Sequence, residues 1–390
     1  MNVNGVSAGS QKRFISLDGL RGVAALIVVC HHFCCAFLPK LVPDLANPPY
    51  WLADTPLGIL INGPFSVSVF FVLSGFVVAR AAVKSRDPLY LNIPFRYLRL
   101  ALPVTVSVIF AWGLLTMMPD AATRLNDVLP NVWLSDTFQH QIPGFFAALY
   151  NGFFGAFGIN LFHLNPAGNG FNNALWTMRV EAEGSIAIYM FYGVKKGWLH
   201  WTVLVLIGLQ TIRRPIFLAF IFGAIMMEQW YAGKLRYGYA LVALLAGILM
   251  GFPSSGFAAR FGMGRLPHLI MPGVRDGLIA PIAAALILYA VLNSALLDRM
   301  LSSTVPNFLG CVSFPLYLVH VPLLYTVFAV LYLRIRPASH LSLIALFLCF
   351  IAISLLLAWA GEAGVDRPVL DWISWSKKKF RSNRDSAPIH

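Results

Sequence analysis

The chain is a succession of apolar runs set off by short polar turns. Leu241 to Phe252 and Ser342 to Ala360 are the plainest, and neither alternates with period two as a half-wet strand would. Such runs predict helices that cross a bilayer, because backbone amides in lipid must find partners within their own segment. Ten spans are expected, near 23–38, 62–80, 101–118, 173–193, 198–211, 215–231, 237–252, 277–297, 312–333 and 341–360. The fold class is therefore all-α, a polytopic transmembrane helical bundle of about ten spans over residues 1–366, followed by a basic cytoplasmic tail, 367–390. Two stretches between spans stand out. Residues 39–61 are rich in proline (Pro39, Pro43, Pro48, Pro49, Pro56), and 119–172 is the longest. The latter mixes Trp133, Tyr150 and Phe171 with His140, His163 and several asparagines, among them Asn165, Asn169 and Asn172. Its apolar part, Phe145 to Phe162, is broken by glycines and asparagines and reads as interfacial or re-entrant, with a further span as the alternative.

Composition agrees with the pattern. Hydrophobic residues make up 58% of the chain and charged ones 12%, with mean hydropathy +0.72, against roughly 45–50% and 25% in an ordinary soluble domain. A net charge of +13 would suit nucleic acid. The basic residues, however, are scattered through inter-span turns and form no compact face, so no nucleic-acid partner is expected. They report orientation instead: with the N-terminus inside, 19 of the 29 lysines and arginines fall on the cytoplasmic side. That places both termini in the cytoplasm and the protein in the cytoplasmic (inner) membrane. The basic-then-apolar start resembles a secretory signal, but Leu38-Pro39-Lys40 follows Phe37 in place of a small-residue cleavage site, so a retained first span is expected. Lys377, Lys378 and Lys379 suit either an anionic inner leaflet or a plain anchor against membrane lipid. The five cysteines all lie in apolar segments, which argues against a disulfide framework.

Against this background the ionisable residues inside apolar runs carry the chemistry. In LDGLRGVAALIVVCHHF, Arg21 and His32 are eleven residues apart, about 1,100° around a helix and about 16 Å along it, so both face one way. A cation at the membrane surface and an imidazole deep inside suit a ligand with an anionic head and a long thin tail, and groups at such depth are expected to face a functional cavity. Arg96 and Arg99, in the loop expected between the second and third spans, lie three apart on one helical face and can clamp phosphates, or serve only as orientation signals. In ALWTMRVEAEGS, Glu181 and Glu183 are about 200° apart, so one can pair with Arg179 while the other lines a polar cavity. Ser313, Tyr317 and His320 form a polar stripe at i, i+4 and i+7. Seven residues are about 10 Å, too far for Ser313 to bond His320 directly, so helix–helix hydrogen bonding is expected of them. Phe70, Phe71, Ser74 and Gly75 read as a close-packing notch. Cys30, His31, His32, Cys34 and Cys35 sit at consecutive positions that point apart, and no metal is expected there. Composition alone would fit a transporter that uses buried Arg, His and Glu groups for proton or solute coupling.

The same segments, taken in order, resemble acyltransferase family 3, the integral membrane O-acyltransferases of bacterial surface polysaccharides. The resemblance rests on FISLDGLRGVAALIVVCHHF, FFVLSGFVVAR, FRYLRLALP, LWTMRVEAE and LGCVSFPLYLVHVPLL, spread from residue 14 to about 325. It implies an acyl-CoA donor, usually acetyl-CoA, as substrate rather than bound cofactor, and a glycan or lipid-linked glycan acceptor on the far face. Position by position, the resemblance implies His32 and Glu181 as catalytic residues. It implies Arg21, Arg96, Arg99, Trp176, Ser313 and His320 as substrate-binding. Two departures bear on the acceptor side: Glu183-Gly184 stand where the family has a polar residue and an aromatic, and Phe314 replaces a common tyrosine.

Overall fold

The computed structural model describes residues 14–42, 45, 55–85, 87–130, 132–137, 142–160, 170–235, 238–251, 275–337 and 339–385. Pro43, Pro48, Pro49, His140, His163, Asn165 and Asn169 lie outside the described residues. Every regular element among those described is helical. In chain order these are α1 (Ile15–Phe37), α2 (Gly63–Lys84), α3 (Leu89–Met117), α4 (Ala121–Val128), α5 (Val132–Thr137), α6 (Phe145–Phe153), α7 (Trp176–Gly193) and α8 (Trp198–Arg213). They continue with α9 (Phe217–Tyr231), α10 (Ala240–Gly251), α11 (Arg275–Asn293), α12 (Ala295–Leu301), α13 (Thr304–Leu323), α14 (Ala329–Ile335), α15 (His340–Gly361) and α16 (Arg367–Asp385).

The apolar runs predicted from the sequence fall on helices over their described residues, the run 277–297 on two of them, α11 and α12. Among the described residues, five helices are long and apolar enough to cross a membrane, six if the bent pair α11–α12 counts as one span. That pair turns by 97°, at Ser294, whose side chain caps α12 by accepting from the Leu297 amide at 3.3 Å. The shorter helices α9 and α10 are apolar but fall below that length. Large apolar side chains on α8 and α15, including Trp201, Ile212, Leu341 and Leu356, are uncovered by protein, as lipid-facing helices require.

Two expectations are corrected in detail. Residues 89–100, expected as a loop, form the first three turns of α3. Asn92, Arg96 and Arg99 recur on one side at helical spacing, so this stretch is amphipathic and too polar to read as a span. The span that was the alternative for Phe145–Phe162 is too short in its described part: α6 has nine residues, about 13 Å. It lies on α3, where a Cβ on Gly152 would stand 2.6 Å from the Thr105 Cα.

The core sits where α1, α2, α3, α7, α9, α11 and α13 meet, with a second cluster between α1, α13 and α15. Small residues set the closest crossings. The notch predicted at Ser74-Gly75 receives α9: a Cβ on Gly75 would meet Phe220 backbone at 2.3 Å, and one on Gly223 the Val72 carbonyl at 2.1 Å. Gly184, one of the departures from the family pattern, is covered by the Phe220 ring, so α9 fills the place of the missing aromatic.

Candidate active site

The site is built on the crossing of α1 and α13, the most extensively packed helix pair. Glycines bring the two backbones together. A Cβ on Gly22 would lie 2.3 Å from the Gly310 nitrogen, and one on Gly310 2.3 Å from the Asp18 carbonyl oxygen. At one end of the crossing Arg21 donates to Asp18 at 2.8 Å and, through Nε, to Ser313 Oγ at 3.2 Å. At the other end His32 Nδ1 meets His320 Nε2 at 2.8 Å, with the rings stacked. Arg21 and His32 thus share the face predicted from their spacing, and it is the face against α13. Ser313 and His320 make no bond to each other; each answers a residue of α1.

The tautomers follow from the partners. His320 Nδ1 lies 3.0 Å from the Leu316 carbonyl, which can only accept, so this nitrogen carries the proton and Nε2 of neutral His320 is bare. His32 Nδ1 must therefore donate to it, and the lone pair of His32 Nε2 is left without a donor among the described residues. Trp133 lies beside the imidazole, centroid to centroid 5.6 Å. His31, one residue earlier, is differently employed. Its ring bonds the Ile61 carbonyl at 2.9 Å and Cys35 Sγ at 3.4 Å, and it packs where a Cβ on Gly63 would collide with it.

A second polar group lies between α2, α3 and α7. Arg96 is ion-paired with Glu181 and donates through Nε to Ser185 at 3.2 Å. Glu181 Oε1 also accepts from Ser74 and Ser185. Glu181 makes no hydrogen bond to the histidine pair. Glu183 is the acid that pairs with Arg179, at 2.7 Å, and also receives Gln210 and Arg214. Arg99, one turn beyond Arg96, makes no ion pair among the described residues. The face of α3 that carries Asn92, Arg96 and Arg99 starts at a cavity of about 520 Å³ lined by Asn92, Leu89, Tyr189 and Tyr192.

On the far side of the histidines, Trp176 stands at the start of α7 and is exposed. Its neighbour Thr177 bonds Tyr317 at 2.8 Å, and Tyr317 donates to the Ala174 carbonyl at 2.6 Å. Pro322 has no amide to offer the Leu318 carbonyl four residues earlier. That carbonyl accepts instead from Ser107 and from Asn172, each at 2.8 Å. The proline thereby pins the segment before α7 to α13 beside His320. Thr177 and Ser185 carry no signal in the sequence; Pro322 inside an apolar run is the signal that could have pointed to Asn172.

Glycine-tight helix crossings that bury a histidine pair and an arginine–glutamate pair set ionisable groups inside an apolar helical bundle, more than a simple anchor needs. The chain belongs to the acyltransferase family whose model, described as an acyltransferase domain, matches residues 14–362. It is also similar to the O-acetyltransferase PaAT-1 of Phomopsis amygdali, 23% identical over 374 residues, a match covering 80% of this chain and 72% of that protein. No solved structure is a significant match. The family makes the protein an acyltransferase with several apolar helices long enough to cross a membrane, and the transport reading has no support from the comparisons.

Proposed function

We propose that the protein moves an acyl group, most simply acetyl, from cytoplasmic acyl-CoA to a hydroxyl of a glycan or lipid-linked glycan at the opposite membrane face. The observation that carries this reading is the free lone pair on His32 Nε2, fixed by the hydrogen bond from Nδ1 to His320. An acceptor hydroxyl gives its proton to that nitrogen as its oxygen attacks the thioester carbonyl. The tetrahedral intermediate then expels the CoA thiolate, which takes the proton back from His32. His320 orients the ring and shares the charge that develops on it. Trp133 offers a flat apolar surface beside the base, suited to a sugar ring.

The donor's phosphates belong at the other end of the crossing. Arg99 has no ion partner of its own, Arg21 lies nearby, and Arg96, held by Glu181, adds positive charge and a fixed wall. Trp176 and Ser313 line the acceptor and donor sides respectively. A covalent variant, with the acyl group resting on His32 Nε2, uses the same lone pair. Purified protein incubated with acetyl-CoA and an acceptor glycan should release free CoA thiol and acylate the glycan, and His32→Ala should do neither. Labelled acyl-enzyme trapped without acceptor would select the covalent variant, and thiol release without acylation of any hydroxyl compound would overturn the reading.

A further inference from the structure

The helical ladder between α15 and α16 widens into a single π turn, Glu362–Asp366. Such turns expose or re-aim a side chain at the expense of regular hydrogen bonding. Here the turn packs on α3 and α13, and Gly361 just before it abuts Pro315. Glu362, at the start of the turn, is taken up by Arg367, at 2.9 Å. Asp366 points inward. It is 8% exposed, and its Oδ1 is sealed from solvent with no hydrogen-bond donor.

No other enclosed acid among the described residues is left this way. Asp18, Asp87, Glu181, Glu183 and Glu362 each face an arginine at hydrogen-bonding distance. A buried carboxylate without a partner is costly, several kcal/mol in real proteins, so its field must be answered nearby. The cations that act on Asp366 are Arg99 first and Arg21 second, and Asp366 is in turn the strongest attraction on Arg99. Yet no nitrogen of Arg99 comes within ion-pair distance of it among the described residues. The turn that carries Asp366 packs on α3, the helix that carries Arg99, so the acid and the cation belong to neighbouring elements without being ion-paired.

We propose that Asp366 is a positioning residue of the donor site: it balances Arg99 and Arg21 while the site is empty and competes with the donor's phosphates for them. This rests on the reading that those arginines receive the phosphates of acyl-CoA. A fixed anion behind the cations keeps the guanidiniums together without closing on them. It also weakens the hold on a polyanion, so that spent CoA leaves. Asp366→Asn keeps the shape and removes the charge. It should bind CoA about tenfold more tightly than the wild type, within the usual range of a site-to-site coupling, and lower kcat and KM together because product release slows.

The test is thermal unfolding of the full-length protein in detergent, with and without CoA. Asp366→Asn should unfold at a lower temperature than wild type without CoA and show the larger upward shift with it. Asp366→Glu should stay near wild type in both. The double variant Asp366→Asn/Arg99→Gln should recover stability that either single variant loses, because the charge left alone in each is then gone. A CoA shift in Asp366→Asn equal to or smaller than that of the wild type overturns the competition. Loss of stability that Arg99→Gln does not relieve, including failure of both the single and the double variant to fold, overturns the pairing. If CoA fails to stabilise even the wild type, the donor reading is what fails, and the double variant still decides whether Asp366 answers Arg99.

Discussion

Replacing His32 by alanine removes the histidine nitrogen at the α1–α13 crossing that, among the described residues, accepts no hydrogen bond. The expected loss is about 10²–10⁴-fold in kcat, the range of a positioned base, with the protein still folded by size-exclusion chromatography. His31→Ala should do the reverse, lowering stability through the lost bond to Ile61 while leaving kcat within a few-fold. Equal loss of activity in both variants would refute the assignment of the two rings. His320→Ala should lower kcat less than His32→Ala and leave the KM for acyl-CoA unchanged, because it acts through the other ring. The Arg96–Glu181 pair carries a different expectation. Both side chains are largely enclosed, at 16% and 13% exposure, so removing one leaves a buried charge, worth about 3–5 kcal/mol of stability. Arg96→Met and Glu181→Leu should each depress the unfolding temperature, and their combination should restore most of it. An additive double variant would show that the pair is not coupled.

The crossing of α1 and α13 is an element-scale device: one glycine contact aligns two functional pairs at once. Gly310→Ala places a Cβ 2.3 Å from the Asp18 carbonyl oxygen, a backbone atom that cannot swing aside, so the helices must separate. The cost is about 1–3 kcal/mol by the usual toll of overpacking. The more telling result is functional, since both the Arg21–Ser313 bond and the His32–His320 bond should lengthen. Activity should therefore fall more steeply than in an alanine variant of Gly361, where a Cβ meets only the Pro315 ring at 3.2 Å. The C-terminal helix α16 is held by a second device. Asp87 accepts from Arg381 at 2.6 and 2.8 Å, and Lys377 reaches Asn92 at 3.1 Å. Phe95 packs against Trp372 and Phe380 of the same helix. Asp87→Ala should release α16, and limited trypsin digestion should then cut after Lys377 and Arg381 faster than in the wild type. Unchanged cleavage would mean that the aromatic contacts alone hold the helix.

For the whole molecule, the proposed donor and acceptor ends lie at opposite ends of one helix pair, about 16 Å apart along α1, so the two substrates need not share a compartment. In sealed, oriented vesicles, acetyl-CoA supplied at the cytoplasmic side should acylate a glycan enclosed at the other, and Arg99→Ala should suppress that labelling. A requirement for both substrates on one side would reverse the topology. The helical class, the positions of the apolar helices and the shared face of Arg21 and His32 were legible in the sequence because each depends on spacing within a few turns. Hydropathy and a period of 3.6 residues settle such matters locally. The limits of that reading appear at α3, whose first turns are too polar to look like a span, and at Arg96, which spacing grouped with Arg99 as a phosphate clamp. Tertiary structure distinguished those two, pairing Arg96 with an acid 85 residues away and leaving Arg99 without an ion pair among the described residues. It likewise joined His32 to a histidine 288 residues distant, which fixes the tautomer of the proposed base. Partners of this kind are chosen by where glycines let remote helices touch, and a single chain's local periodicity carries no record of which distant helix will lie there.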